Sequence, residues 1–401
     1  MRLLLLSLCV ILFSCQKDAL PVPDPVSPDD VSGIAQMTLE TGWDIFRQEK
    51  QLSEEENILL SPLSIQTALL MASNGASGNT LSELMATLHC PGCPLADLNP
   101  LHKDLTTLLT QQSGQPEVTL ANHFFYDANR MAVKTPFLDA LQAYYTCQAT
   151  DLPFANEQQS LDAINGWVYD HTHQKIDGIL DRITDLDVAF LINALHFKAD
   201  WAQGFAEEET VSLPFVKENG EQVTVPFVNA DRNFTWIKDP EFHAVDIPFQ
   251  DSTYGFTMIQ PSPANKDVDW AVSLDAATYN RLVSGMVYDR AMVFFPRLKL
   301  AYDTDLIGTL TDLGVKDAFS GRDADFTAMG TSSQNIYISQ IKHKAVLEVD
   351  EHGAEGAAVT SIGFAITSLP PQFRFDHPFV LVLRHIPTNT PLFIGWVNDP
   401  S

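Results

Sequence analysis

The chain has 401 residues, 45% of them hydrophobic, which is enough to bury a large core, and no linker appears after residue 33, so one large domain is expected. Its formal net charge at pH 7 is −27. That acidity argues against a nucleic-acid partner and against recognition of a polyanion such as heparin, both of which need a Lys/Arg-rich surface.

The N-terminus reads as an export signal. Arg2 is its positive start, and Leu3 to Phe13 is an apolar run too short to span a bilayer. Leu12-Phe-Ser-Cys15 resembles a bacterial lipobox. The resemblance implies a signal peptide over 1–14, cleavage before Cys15 and lipidation of that residue. Gln16-Lys-Asp is similar to the short tag of lipoproteins exported to the bacterial surface. Prolines at 21, 23, 25 and 28 make 15–32 a lipid-anchored, semi-rigid linker. The expected location is the bacterial cell envelope, with the membrane touched only through the lipid, or secretion.

Met37 to Gln48 carries a helical apolar spacing (Leu39, Trp43, Phe46). Asn57-Ile-Leu-Leu-Ser-Pro62 reads as a short strand entering a helix, with Ser61 as cap and Pro62 in the first turn; Leu63 to Ala72 continues it. Gly75-Ala-Ser-Gly78 breaks that helix, and Thr80 is expected to cap the next, Leu81 to Leu88. Cys90-Pro-Gly-Cys93 suits a local disulfide, a redox pair or half a zinc site; with no second CxxC, the disulfide is the favoured reading.

Val118–Phe125 and Phe190–Phe197 read as core strands, with a helix over 158–173 between them. His171-Thr-His173 could ligate a metal, but no carboxylate or further His lies at ligand spacing nearby, so neither a metal nor a cofactor is expected. Short strands follow at 223–228, 234–237, 243–248 and 256–259, then at 292–298 and 336–342; Thr304 to Leu313 reads as a helix stopped by Gly314. Helices dominate the first half and strands the second, which is an α+β pattern. The chain has no G-x-S-x-G, H-E-x-x-H or P-loop, so no enzymatic activity is expected.

Ala345 to Asp350 is a further strand, and Gly353-Ala-Glu-Gly-Ala-Ala358 follows it. No Pro, Asn or Asp stands between His352 and Leu369 to form an ordinary turn. At period two, one face carries Ala354, Gly356, Ala358, Thr360, Ile362, Phe364 and Ile366 and is almost wholly apolar. The pattern predicts a strand held out of its sheet, with small residues at its base that would let it slide between two existing strands.

Glu351, Gly353, Glu355 and Gly356 to Thr360 resemble the hinge of the serpins. Phe375-Asp-His-Pro-Phe379 and Pro391 to Pro400 resemble the family's tail. Asn57 to Glu83, Phe190 to Trp201, Pro296-Arg-Leu-Lys-Leu300 and Leu310 to Phe319 are similar in order, so the resemblance spans about residues 33–401. It implies helices packed on a large central mixed β-sheet plus two smaller sheets, with an exposed reactive-centre loop at about 351–373.

The resemblance also implies an activity. A serine endopeptidase, or a papain-like cysteine protease, would cleave the loop as substrate. The freed strand would then insert into the main sheet and trap the acyl-enzyme as a covalent complex. No cofactor is implied, and a monomer is expected. Counting about seventeen residues from Glu351 puts the reactive bond at Thr367–Ser368, which Ser368-Leu-Pro-Pro371 also fits. Cleavage after Phe364 or Ile366 is the other register. Phe364, Ala365 and Ile366 would be read by the protease, and an uncharged Thr367 suits elastase-like or subtilisin-like targets.

The hinge would comprise Glu351, Gly353, Ala354, Glu355, Gly356, Ala357 and Ala358. The family's shutter cluster would be Ser61, Ser64, Asn193 and His343, hydrogen-bonded together under the sheet. Trp201 and Arg297 would mark the breach where insertion starts, with Arg297 pairing Glu351. The alternative is a non-inhibitory serpin acting as a protease substrate or surface binding module. Gly356, Ala357, Ala358 and the uncharged Ala354, where the family usually has Thr, favour insertion.

Overall fold

The computed structural model describes residues 26–110, 116–265, 267–354 and 370–401. The signal segment, Cys15 and the linker as far as Pro25 lie outside the described residues. So do Glu355, Gly356, Ala357 and Ala358, the recognition residues Phe364, Ala365 and Ile366, and the Thr367–Ser368 bond.

In chain order the α-helices and strands are α1 (Ser32–Leu52), β1 (Ile58–Leu60), α2 (Pro62–Gly75), α3 (Gly78–Thr87), α4 (Leu95–Thr110), β2 (Glu117–Tyr126), β3 (Met131–Val133), α5 (Thr135–Tyr145), β4 (Gln148–Asp151), α6 (Glu157–His171), β5 (Ala189–Asp200), β6 (Val211–Val216), β7 (Gln222–Lys238), β8 (Phe242–Pro248), β9 (Tyr254–Pro261), α7 (Ala276–Gly285), β10 (Val287–Pro296), β11 (Leu298–Asp305), α8 (Ile307–Asp312), β12 (Gly330–Ser332), β13 (Lys342–Val349), β14 (Gly353–Ala354), β15 (Gln372–Arg374), β16 (Phe379–His385) and β17 (Thr390–Val397). Among the described residues no helix is long and apolar enough to cross a membrane.

Nine strands form one sheet in the order β1-β17-β16-β9-β8-β7-β10-β15, with β6 on β7. A second layer is divided. One part is β14-β5-β2-β4 and the other is the pair β11-β13; no ladder joins β5 to β13 among the described residues. β2 runs antiparallel to β5 over its whole length, from Glu117↔Lys198 to Tyr126↔Ala189, and parallel to β4. A small pair, β3 with β12, stands apart.

The ordering of the chain explains the core. Ser61 caps α2 by accepting from Ser64 N–H, and Pro62 sits in the first turn where its missing N–H costs nothing. α2 carries apolar residues all round and is buried on nearly every side, as a helix beneath a sheet must be. A smaller cluster lies under α6, where Phe125, Phe190 and Ile192 meet Ile164 and Val168.

Several expectations change. The strand expected over 336–342 joins no ladder before Lys342 among the described residues; its backbone instead meets loops, Ile338 N–H donating to the Ala318 carbonyl and the Ile341 carbonyl accepting from Leu306 N–H. Its side chains still pack inward, which is the burial that the sequence pattern registered. The strand expected over 292–298 is two strands in different sheets, broken at Arg297. Thr304 belongs to β11, opposite His343, so only 307–312 is helical; Gly314, at φ +109, follows its end. Thr80 caps nothing: its hydroxyl accepts from Asp325 N–H.

Candidate functional site: a divided sheet and its hinge

Strand edges that face each other without pairing are the central feature. β5 uses one edge for β2, and β13 uses one edge for β11. Among the described residues the remaining edges carry no ladder apart from the pairing of Asp200 and Ala199 with β14, a state sheets ordinarily avoid. A cavity of about 150 Å³ occupies the lower part of this slot, between Phe190–Asn193 of β5 and the 336–343 segment. Its floor is α2, through Ser64, Ile65 and Leu69. A smaller cavity of about 30 Å³ lies higher, between Leu195–Phe197 of β5 and Val346–Glu348 of β13. Residues after α6 cover this upper part: Thr172 and Ile176 line it, and Lys175 Nζ reaches Glu348 Oε2 at 2.8 Å.

The four polar residues expected to cluster lie around the lower slot but form two sets. On one side Ser61 N–H donates to His343 Nε2 at 3.2 Å, and Ser61 Oγ donates to Ser64 Oγ at 2.9 Å. On the other, Asn193 Nδ2 donates to Asn122 Oδ1 at 2.6 Å, and Asn122 donates to the Tyr145 carbonyl. Asn193 Oδ1 is buried with no hydrogen-bond partner among the described residues. Asn193 therefore does not join the Ser/His set, and a single bonded cluster is not what forms; the slot lies between the two. Asn122 is the member that sequence reasoning missed, because only the β2–β5 register sets it opposite Asn193. Burial pushes the His343 imidazole down to about 4, against a smaller opposing effect of its hydrogen bond with the Leu59 backbone. The ring is therefore neutral at pH 7.

At the upper end the chain leaving β13 folds onto the end of β5. Gly353 and Ala354 pair antiparallel with Asp200 and Ala199. Asp350 organises the turn: its carboxylate accepts from His352 N–H (2.7 Å) and Gly353 N–H (3.2 Å), and its own N–H donates to the Gly353 carbonyl. Gly353 is required there. Its φ is +147, and a Cβ would stand 2.2 Å from the Ala199 carbonyl oxygen.

Trp201 secures the same turn. Its Nε1 donates to the Asp350 carbonyl at 2.8 Å and its backbone N–H to the His352 carbonyl at 2.8 Å, while its ring stacks on Phe249 at 4.5 Å. Arg297 Nε donates to both oxygens of Glu351 (3.0 and 2.8 Å) and Nη2 to one of them (2.8 Å); Thr210 Oγ1 donates to the same carboxylate. Glu351 is only 1% exposed. Burial alone would raise its pKa, but the Arg297 and Thr210 hydrogen bonds outweigh it and the carboxyl is held below its ordinary value. Thr210, on the far side of Trp201 in sequence, carried no signal.

Elsewhere, Cys90 and Cys93 are joined as a disulfide, and Cys147 is a buried free thiol. His171 stacks on Trp167 and bonds its carbonyl, whereas His173 turns toward β2 and β5.

Comparison with known proteins gives a consistent result. The family model described as Serpin (serine protease inhibitor) matches residues 36–400. Human Serpin B8 is 31% identical over 372 residues, covering 88% of this chain and 96% of that protein. Human glia-derived nexin is 27% identical over 376 residues, covering 92% and 94%. The crystal structure of a thermophilic serpin, tengpin, in the native state superimposes with a TM-score of 0.83 at 28% identity, covering 92% of this chain and 94% of that one.

Proposed function

The chain belongs to the serpin family, and from that premise we propose that it is a suicide-substrate inhibitor of serine endopeptidases that traps the acyl-enzyme by inserting its cleaved loop between β5 and β13. One observation carries this reading: among the described residues no ladder joins the facing edges of β5 and β13, and two residues of the hinge, Gly353 and Ala354, already pair with β5 at the mouth of the slot. The next residues, Glu355 to Ile366, supply an apolar face and small residues for the rest of the gap. Ladder hydrogen bonds contribute on the order of 1 kcal/mol each. Burial of Ile362, Phe364 and Ile366 adds roughly 1.5–3 kcal/mol each. Both oppose an ordering cost of about 1–2 kcal/mol per residue. Filling the slot also satisfies edges that are unpaired beforehand.

In this reading Thr367–Ser368 is the reactive bond and Phe364 to Ile366 the recognition segment, with elastase-like, subtilisin-like or papain-like targets. Glu351, Arg297 and Trp201 hold the hinge, and the sets around His343 and Asn193 flank the lower slot that the loop is to enter. Incubation with an elastase-like protease is expected to give an SDS-stable complex, with the protease attached at Thr367 by mass spectrometry. Cleaved loop together with fully active protease would overturn the proposal.

We also propose that residue 15 carries the lipid and that 16–32 hold the inhibitor off a bacterial membrane. Expression of a Cys15→Ala variant should move the protein from the membrane to the soluble fraction; unchanged membrane retention would refute the anchor.

A further inference from the structure

Glu117 opens β2 and His196 lies near the end of β5. The register pairs Glu117 with Lys198 and Thr119 with His196. Because side chains alternate along a strand, Glu117 and His196 fall on one face, the face that carries Phe125, Phe190 and Ile192 under α6. Beyond α6 the chain turns sharply: His173 and Gln174 have φ of +50 and +66, and Gln174 N–H donates to the Tyr169 carbonyl. The turn lays the His173 ring on the His196 ring, centroids 4.0 Å apart and planes 16° from parallel. His173 Nε2 is 3.6 Å from Glu117 Oε1, and one donor atom from each residue lies within 4.8 Å of the others.

We propose that Glu117, His173 and His196 form a site for a divalent transition-metal ion, zinc first among them, which fastens the segment after α6 to β5. Two imidazole nitrogens and one carboxylate oxygen, with water in the fourth position, suit zinc. Calcium and magnesium take all-oxygen sets instead. Donors of a tetrahedral zinc stand about 3.3 Å apart, given bonds of about 2.0–2.2 Å, so the three must draw together. His173 and Glu117 are exposed and can move, while His196 is buried on its strand. Lys198, across from Glu117 in the register, adds positive charge beside the site and weakens it.

The position gives the site a consequence. Residues 172–176 lie over the upper slot, and Lys175 already binds Glu348 on the β13 side. A metal would fix the other end of this strap on the β5 side. Any strand entering the slot must pass beneath it, so metal is expected to slow insertion; that last step rests on the proposed inhibitory function, whereas metal binding does not.

Metal-stripped full-length protein should be titrated with Co²⁺ by absorption spectroscopy and with Zn²⁺ by calorimetry. The expected result is one tetrahedral site per chain, at least tenfold weaker in His173→Ala and unchanged in His171→Ala. Zn²⁺ should also slow amide exchange over 172–176. His196→Gln is a second variant, but the exposed His173 keeps the test decisive if that variant misfolds. Absence of saturable binding, or binding indifferent to His173→Ala, overturns the site. Binding without protection of 172–176 overturns the strap. Because neither readout uses a protease, failure here is separable from failure of the inhibitory proposal.

Discussion

Arg297 grips Glu351 through three contacts of 2.8–3.0 Å, and it does so from the single residue that separates β10 of the nine-stranded sheet from β11 of the divided layer. The carboxylate is buried and the guanidinium is partly exposed. Arg297→Ala would strand a buried charge and is expected to cost about 2 kcal/mol, with part recovered by adding Glu351→Gln. A double-mutant cycle in urea unfolding measures the coupling; strictly additive single effects would show that the fork holds nothing.

Gly353 is tested by a single methyl group. Gly353→Ala places a Cβ against the Ala199 carbonyl at a φ that side chains rarely adopt. The expected loss is about 1–3 kcal/mol, or release of the Gly353–Ala354 pairing. Hydrogen exchange at Trp201 N–H, which donates to His352, distinguishes the two, since only release exposes it.

Ala354 is buried at the mouth of the slot, paired with Ala199. Ala354→Arg would have to carry a charge into that position. Under the proposed mechanism the variant is cleaved but does not trap. Its stoichiometry of inhibition should rise at least tenfold, and cleavage should not raise its melting temperature. A variant that still forms one complex per cleavage would remove this residue from the insertion path.

Burial holds His343 at about 4 against an ordinary value of 6.5, so on acidification the folded state takes up its proton later than the unfolded chain. The sign follows from linkage. Its contribution is full above pH 6.5 and is lost progressively as pH falls toward 4, about 2 kcal/mol by pH 5. His102 and His385, also pushed down to about 4 by burial, act in the same direction. Urea midpoints between pH 7 and 5 should fall, and His343→Gln should flatten part of that slope.

The proposed reactive bond, Thr367–Ser368, is tested by changing the charge of its first residue. Thr367→Arg should redirect inhibition from elastase-like to trypsin-like proteases. If trypsin then cuts after the new Arg without being trapped while elastase inhibition persists, the bond lies upstream, after Phe364 or Ile366.

Much of this was legible in the sequence because local rules apply to it. Ser61-Pro62 announces the start of α2, and the apolar runs at Val118–Phe125 and Phe190–Phe197 announce β2 and β5. The α+β character follows from the uneven distribution of helices and strands. What depended on long-range register was not legible. Alternation alone could not show that 336–341 joins no ladder among the described residues or that the Ser/Asn/His residues divide into two sets. The pair of histidines at 171 and 173 looked isolated because Glu117 and His196 come from distant strands. Arg297 read as part of one continuous strand, since nothing in the local pattern marks a change of sheet.

The break at Arg297 has a bearing on what happens when the loop is severed. Downstream of the loop, β15 stays riveted to β10 through Met292↔Gln372 to Phe294↔Arg374, with Phe373 and Phe375 fully buried. Upstream, the two-residue pairing of β14, the Asp350 turn, the Trp201 hydrogen bonds to Asp350 and His352 and the Glu351 fork hold the chain. The two cut stumps are thus unequal in freedom, although both are moored within a few residues of the same point. Under the proposed mechanism the downstream stump is a fixed post, and the upstream stump is the end with somewhere to travel.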